Sequence, residues 1–345
     1  MIELYQNKGR VEWVDLGKGI SILLVVLFHC EVYLPIVNTG TEEIFSFFRM
    51  PFFFFLSGYI FTSNYRQFTL RRKLKQLLRG LVWTYLVISS ILVVPKCLTN
   101  GDSLAYGFST IVLGEYSWFV VSLGMAQFVF ALLLSSTKNL KVIAASLFVS
   151  LAIGFLIKSL TSGTLPFQLD KAFFVVFFFG MGFFYRIFEG RIAAIVKWRY
   201  LLAAVACYAL LMVMEKTCMH GTTTNVFWGQ ELNNFPLFMV YTVMGVVMMT
   251  LLVSLLPARR LNYVCYVGAN SLLFYYLNGG IVKLWRFVYG YVSAYVGINN
   301  VVAFIAVFLL VVATLTVMVL LVKKYCPILV GDKNAFRRCF PRIEW

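Results

Sequence analysis

Long, almost purely apolar stretches alternate with short polar breaks along the whole chain. They run approximately Leu16–Ile36, Ile44–Thr62, Gly80–Pro95, Trp118–Ser136, Val142–Leu160, Ala172–Phe188, Tyr200–Met214, Phe235–Leu256, Tyr263–Lys283 and Asn300–Val322. A bilayer core about 30 Å thick is crossed by roughly 20 mostly apolar residues of helix, so each stretch predicts a spanning helix. The stretches are continuously apolar rather than alternating, which argues against barrel strands. The predicted fold is all-α, a polytopic transmembrane helix bundle of about ten helices. No loop exceeds about 25 residues, too few for a separate extramembrane domain. Residues 1–345 therefore read as one integral-membrane domain, with a short N-terminus over 1–15 and a basic tail over 323–345. The first apolar stretch has full span length behind a polar segment, so no cleavable signal peptide is expected.

Composition agrees and removes other classes. The chain is 61% hydrophobic and 13% charged, whereas a soluble domain carries about 25% charged residues. A soluble enzyme, a disordered tail and a coiled coil are excluded together. The net charge of +16 could suggest nucleic acid, but its placement gives another account. With the N-terminus inside, the inner segments hold 23 of the 30 Lys and Arg and a net charge of +17, against −1 for the rest. That asymmetry follows the positive-inside rule and predicts that both termini are cytoplasmic. Membrane lipids, not nucleic acid, are the expected surroundings. The seven cysteines form no CxxC pair, so no zinc site or other metal is expected. Cys97 and Cys218 fall in outward loops, where an oxidising periplasm would permit a disulfide.

Ionisable side chains inside apolar helices are expensive and so are candidates for function. The first stretch carries Lys18 and His29, with Asp15 immediately before it. Lys18 and His29 are eleven positions apart, about 20° from three whole turns, which puts both on one helix face roughly 16 Å apart. Asp15 lies within about 40° of that face and sits three residues before Lys18, where a carboxylate can hold an ammonium. A cation at one end and a titratable imidazole further along can grip the two ends of a long ligand with an anionic head, and the imidazole suits proton transfer near neutral pH. The blander alternatives are a Lys18 that snorkels to lipid phosphates and a His29 that only packs. In the second stretch Pro51 predicts a kink, and Ser57-Gly58 permits close backbone approach. Arg49 is expected to face an interior cavity or the outer surface. His220 reads as a solvated loop residue.

Taken together, these segments resemble the integral-membrane acyltransferase family 3, which O-acetylates or otherwise O-acylates bacterial surface sugars. Val14-Asp15-Leu16-Gly17-Lys18-Gly19-Ile20 and His29 match its first-helix pattern in spacing, with Lys18 where the family has Arg. Phe53-Phe54-Phe55-Leu56-Ser57-Gly58 matches its FFxxSG segment. A basic loop from Arg71 to Arg79 follows, then Tyr116-Ser117-Trp118-Phe119, and later Gly268 to Asn278, with Asn278 where His is frequent. The resemblance implies a multi-pass enzyme of the bacterial cytoplasmic membrane that moves an acyl group from cytoplasmic acyl-CoA, most often acetyl-CoA, to a hydroxyl of a surface polysaccharide or lipid-linked glycan. It implies His29 as general base with Ser57 assisting. Lys18, Asp15, Arg71, Arg72, Lys73 and Lys75 would serve the donor. Arg49, Glu115, Tyr116, Trp118 and Asn278 would serve the acceptor. Lysine in place of arginine keeps the charge and loses bidentate phosphate recognition. Asn278 cannot carry protons, which leaves His29 as the imidazole. The competing reading is a proton-coupled transporter or flippase of a glycan precursor, although no two-half hydropathy repeat is visible. Small-residue faces such as Gly180 and Gly182 can pack within or between chains, so a homo-oligomer stays open.

Overall fold

The computed structural model describes residues 11–34, 37, 40–62, 64–161, 163–229, 231–293 and 299–339. Three expectations lie partly outside the described residues: the N-terminus over 1–10, the end of the first stretch at Pro35 and Ile36, and the tail over 340–345.

Helix α1 spans Glu12–Tyr33, followed by α2 (Thr41–Phe45) and α3 (Arg49–Tyr59). Helix α4 (Leu70–Leu77) runs through a π-helical turn, Leu78–Val82, into α5 (Trp83–Asn100). Then come α6 (Leu104–Val112), α7 (Trp118–Ser136), α8 (Leu140–Leu160), α9 (Leu169–Ile192) and α10 (Trp198–Cys218). The chain continues through α11 (Phe235–Leu255), α12 (Asn262–Ala269), α13 (Ser271–Ser293), α14 (Asn300–Tyr325) and α15 (Lys333–Cys339). The protein is all-α and polytopic. Among the described residues, 8 helical segments are long and apolar enough to cross a membrane.

Two of the ten predicted stretches take a different form. Ile44–Thr62 is not one helix kinked at Pro51: a turn at 46–48 separates α2 from α3. Pro51 is the third residue of α3, in the first turn, where a missing N–H leaves no intrahelical bond unmade, so it starts the helix instead of bending it. Tyr263–Lys283 is broken at Asn270, between α12 and α13. Its longer half, α13, carries Lys283 and Arg286.

The described residues form two compact units. One takes those of Met1–Phe53, Ala193–Gly221 and Pro236–Lys324; the other takes those of Phe54–Ile192, Thr222–Phe235 and Tyr325–Trp345. The boundary falls inside α3. In lipid there is little hydrophobic drive between helices, so close packing of small residues has to hold them. In the first unit α1 packs on α12 and α13. There a Cβ on Gly268 would collide with the Asp15 carbonyl oxygen, and one on Gly19 with the backbone of Val264. The same device joins α3 to α9 in the second unit. A Cβ on Gly58 would strike the Phe179 carbonyl, and one on Gly182 would strike that of Phe55. Gly180 packs on Leu147 of the same unit, so both glycines named above are used within the chain. Rings of Phe61, Phe130, Phe179 and Phe183 fill the core beside them, with centroids 5.0 to 5.7 Å apart. All seven cysteines are free thiols, Cys97 buried and Cys218 exposed.

Candidate functional site

In the first unit, the face of α1 read from the sequence is present. Asp15 is buried, pressed by its backbone against Gly268. Lys18 is half-buried, its ammonium 5.0 Å above the centre of the Phe53 ring. His29 is half-buried among aromatic rings: Tyr33, one turn on, stacks at 5.9 Å with an interplanar angle of 11°, and Phe28 lies at 5.3 Å.

Beside His29 stands a charged group that the sequence did not assemble. Arg49, the first residue of α3, is 1% exposed. Its guanidinium lies 4.2 Å from the centre of the Phe28 ring, and its charge acts on the His29 imidazole. Nη1 donates to Glu42 Oε2 at 2.8 Å. Nε and Nη2, the side-on edge of the guanidinium fork, are buried with no hydrogen-bond partner among the described residues. Glu31 turns toward α2, where it accepts from the hydroxyl and the amide of Thr41. Helix α2 is tied down by Tyr208, which donates to the Ile44 carbonyl at 2.7 Å, and by an ion pair between Glu43 and Lys216. Asn278, on α13, is 2% exposed. Its Nδ2 donates to the Tyr275 carbonyl at 2.6 Å, and its Oδ1 has no partner among the described residues.

In the second unit, α4 and the π turn form one wall of a cavity of about 460 Å³ lined by Thr69, Arg71, Arg72, Lys75, Gln76, Arg79 and Lys333. The helix itself makes this wall: Arg71, Lys75 and Arg79 recur every four residues and Arg72 with Gln76 flank them. Lys73 is about 130° round the helix from that face. It donates to the Phe61 carbonyl at 2.7 Å and lies 3.9 Å from the centre of the Phe61 ring, so it braces the end of α3 and does not line the cavity.

A second cavity, about 340 Å³, is lined by polar groups of both signs, Lys96, Asn100, Asp102, Thr110, Glu115 and Tyr116 among them. The Lys96 ammonium lies 4.6 Å over the Tyr116 ring. Trp118 is not in this cavity. It packs with Phe227 and Trp228 at 5.8 and 5.2 Å, with Lys171 above it at 5.7 Å. Ser57 is buried on α3, 6% exposed. Among the described residues no group of three His, Cys, Asp or Glu side chains could hold a metal ion.

A family model described as an acyltransferase domain matches residues 11–323. The chain belongs to acyltransferase family 3. No curated protein and no solved structure matches it. The matched range takes in Asp15, Lys18, His29, Arg49, Ser57, Asn278, the second cavity and every lining residue of the first cavity except Lys333, and it stops before α15.

Sequence reasoning about this membrane acyltransferase missed three features. Glu42 lies across a non-helical turn from Arg49, so helical spacing gave no hint of the pair. Lys158, near the end of α8, and Asp170 and Lys171, at the start of α9, are all buried. In the structure Lys158 donates to the Val226 carbonyl at 2.5 Å, Lys171 to Gln168 at 2.8 Å, and Gln168 to the Gly114 carbonyl at 3.3 Å. Their junction includes Phe167 and Gln168 at φ 57° and 55°, left-handed backbone that non-glycine residues adopt only when the surroundings compel it. Lys333 is the third, remote in sequence from the helix whose cavity it joins. The only advance signal for the lysines was that ionisable residues sat in or against apolar runs.

Proposed function

We propose that this acyltransferase moves an acetyl group, or another short acyl group, from cytoplasmic acyl-CoA to a sugar hydroxyl of a surface polysaccharide or lipid-linked glycan, in the cytoplasmic membrane of a bacterium and with both termini inside. The observation that carries the reading is the setting of His29: an imidazole in a spanning helix, stacked on Tyr33, beside a buried guanidinium with two donor nitrogens that have no hydrogen-bond partner among the described residues.

In this mechanism His29 takes the proton of the sugar hydroxyl as its oxygen attacks the thioester carbonyl. The new C–O bond forms, and negative charge gathers on the carbonyl oxygen within reach of the Arg49 donors. The C–S bond then breaks, the imidazolium returns its proton to the departing thiolate, and the O-acyl sugar and CoA leave. Arg71, Arg72 and Lys75 hold the phosphates of the donor, since clustered cations at a low-dielectric wall draw in polyanions. Lys18, with Asp15 close behind it on α1, is assigned to the donor as well. Lys73 serves the donor side only by bracing Phe61. Glu115 and Tyr116, in a cavity with donors, acceptors and an aromatic face, are assigned to the sugar. Ser57 is assigned as a hydroxyl donor, and Trp118 and Asn278 shape the acceptor side.

The test is acyl transfer by membranes from radiolabelled acetyl-CoA. His29→Ala and His29→Gln should each lower the rate about 100-fold or more while the protein still accumulates. Transfer at the wild-type rate would end the imidazole-base mechanism. An absence of transfer or thioester hydrolysis by the wild-type protein would favour a carrier. Mass spectrometry of surface glycans with and without the protein should show loss of an acetyl-sized increment.

A further inference from the structure

The cationic cavity of the second unit has a wall that the family match does not include. Four of its cations, Arg71, Arg72, Lys75 and Arg79, come from α4 and the π turn, and a fifth, Lys333, comes from α15. No carboxylate lines it among the described residues. The segment bearing Lys333 is fastened in place. Trp83 Nε1 donates to the Ile328 carbonyl at 2.9 Å, and Phe336, 1% exposed, packs edge-on against Trp83 at 5.0 Å. The turn before α15 holds Gly331 at φ 67°, and a Cβ there would strike the Arg79 carbonyl, so the segment is seated on the backbone of a cavity residue. The neighbouring acid, Asp332, is turned onto the Ala335 amide at 2.8 Å and caps α15. Arg79 Nε is buried and has no hydrogen-bond partner among the described residues.

Cations gathered along a wall with no carboxylate among its described lining residues raise the positive potential there, and the buried Arg79 Nε–H, with no hydrogen-bond partner among the described residues, is itself destabilising. Both are relieved by a ligand with several phosphates. We propose that the C-terminal segment completes the donor site: Lys333 is its fifth cation, and the segment from Tyr325 to Cys339 forms a wall against which the phosphates of acyl-CoA bind. The inference rests on the donor reading given above and adds to it a part of the chain beyond the matched range. The headgroup of CoA carries about four negative charges near neutral pH, a monoester and a diphosphate, in proportion to the five cations. An anionic lipid headgroup offers the same chemistry with fewer charges.

The experiment uses the full chain in nanodiscs, one set of phosphatidylcholine alone and one with added phosphatidylglycerol. It measures the dissociation constant for CoA and the KM and kcat for acetyl-CoA. Lys333→Ala should raise the dissociation constant and KM about three- to tenfold with kcat unchanged. Lys333→Arg should restore them, and Trp83→Leu, which unfastens the segment, should act like Lys333→Ala. These effects should appear in both lipid mixtures and shrink as salt is added. Unaltered constants in Lys333→Ala, alongside raised ones in Arg71→Ala, would exclude the segment from the site and leave the donor reading standing. An effect confined to the phosphatidylglycerol discs would give the cavity to lipid and overturn the proposal. Failure of the wild-type protein to bind CoA would remove the donor reading and this inference with it.

Discussion

Replacing Arg49 with methionine tests whether that side chain is held for the fold or for the reaction. Among the described residues the guanidinium makes one ion pair, to a Glu42 that is 43% exposed. An ion pair half open to solvent contributes at most about 1 kcal/mol. Its contact with Phe28 contributes about 1–2 kcal/mol, and methionine, whose sulfur also packs well on rings, recovers roughly half of that. Against these stand Nε and Nη2, buried without partners among the described residues. Each such group costs about 1–3 kcal/mol. The removal of two unsatisfied donors therefore outweighs the lost contacts, and Arg49→Met should be more stable than the wild type by about 1–3 kcal/mol.

The same variant loses the donors assigned to the carbonyl oxygen of the thioester, and deleting donors of that kind lowers turnover about 100- to 1,000-fold. Raised stability with lost activity is the signature of a residue kept for chemistry at the expense of the fold. The assays are thermal unfolding of the purified protein in nanodiscs, followed by tryptophan fluorescence, and acetyl transfer on the same preparation. A Tm that falls, with activity falling only in step with the folded fraction, would refute the reasoning and make Arg49 a structural tie between α1, α2 and α3.

Two further outcomes bear on orientation and packing. If both termini are cytoplasmic, a membrane-impermeant maleimide applied to intact cells should label the exposed thiol of Cys218 and spare those of Cys326 and Cys339; labelling of Cys339 on intact cells would reverse the topology. Gly58→Ala should cost about 2 kcal/mol or more, because its Cβ meets backbone at Phe179 that cannot rotate away, and the variant should accumulate poorly; normal accumulation and an unchanged Tm would mean that α3 and α9 are not closely packed there.

The spanning helices were legible because lipid imposes one requirement on every residue of a span, and an apolar run of sufficient length meets it without reference to the rest of the chain. The two misjudged stretches show where that logic stops. Ser46, Phe47 and Phe48 are apolar enough to continue a helix, yet they form the turn that frees Arg49 to begin α3. Hydropathy reports the medium and not the dihedral angles. At Asn270 a hint existed: Gly268-Ala269-Asn270-Ser271 is a cluster of weak helix formers inside an apolar run. It was read only as part of a motif, although Gly268 is also what lets α12 touch α1.

The candidate site divides along a similar line. Lys18 with His29, and Arg71 with Lys75, were readable because a single helix fixes their angular relation, and the structure keeps each pair on one face. Helical geometry alone also separates Lys73 from the other cations of α4, although a count of basic residues groups them. What could not be read are relations made by tertiary packing: Glu42 with Arg49, Lys158 and Lys171 in one buried junction with Asp170, and Lys333 with α4. In each case a charge is taken out of water, and burial of that kind is stable only when partners from elsewhere in the chain, or a ligand, meet it. Glu42 and the Val226 carbonyl are such partners for one nitrogen of Arg49 and for Lys158. Arg79 Nε and the free edge of Arg49 lack partners among the described residues. On the proposed reaction each holds donors for anionic oxygen, Arg79 for a phosphate of the donor and Arg49 for the transient oxyanion.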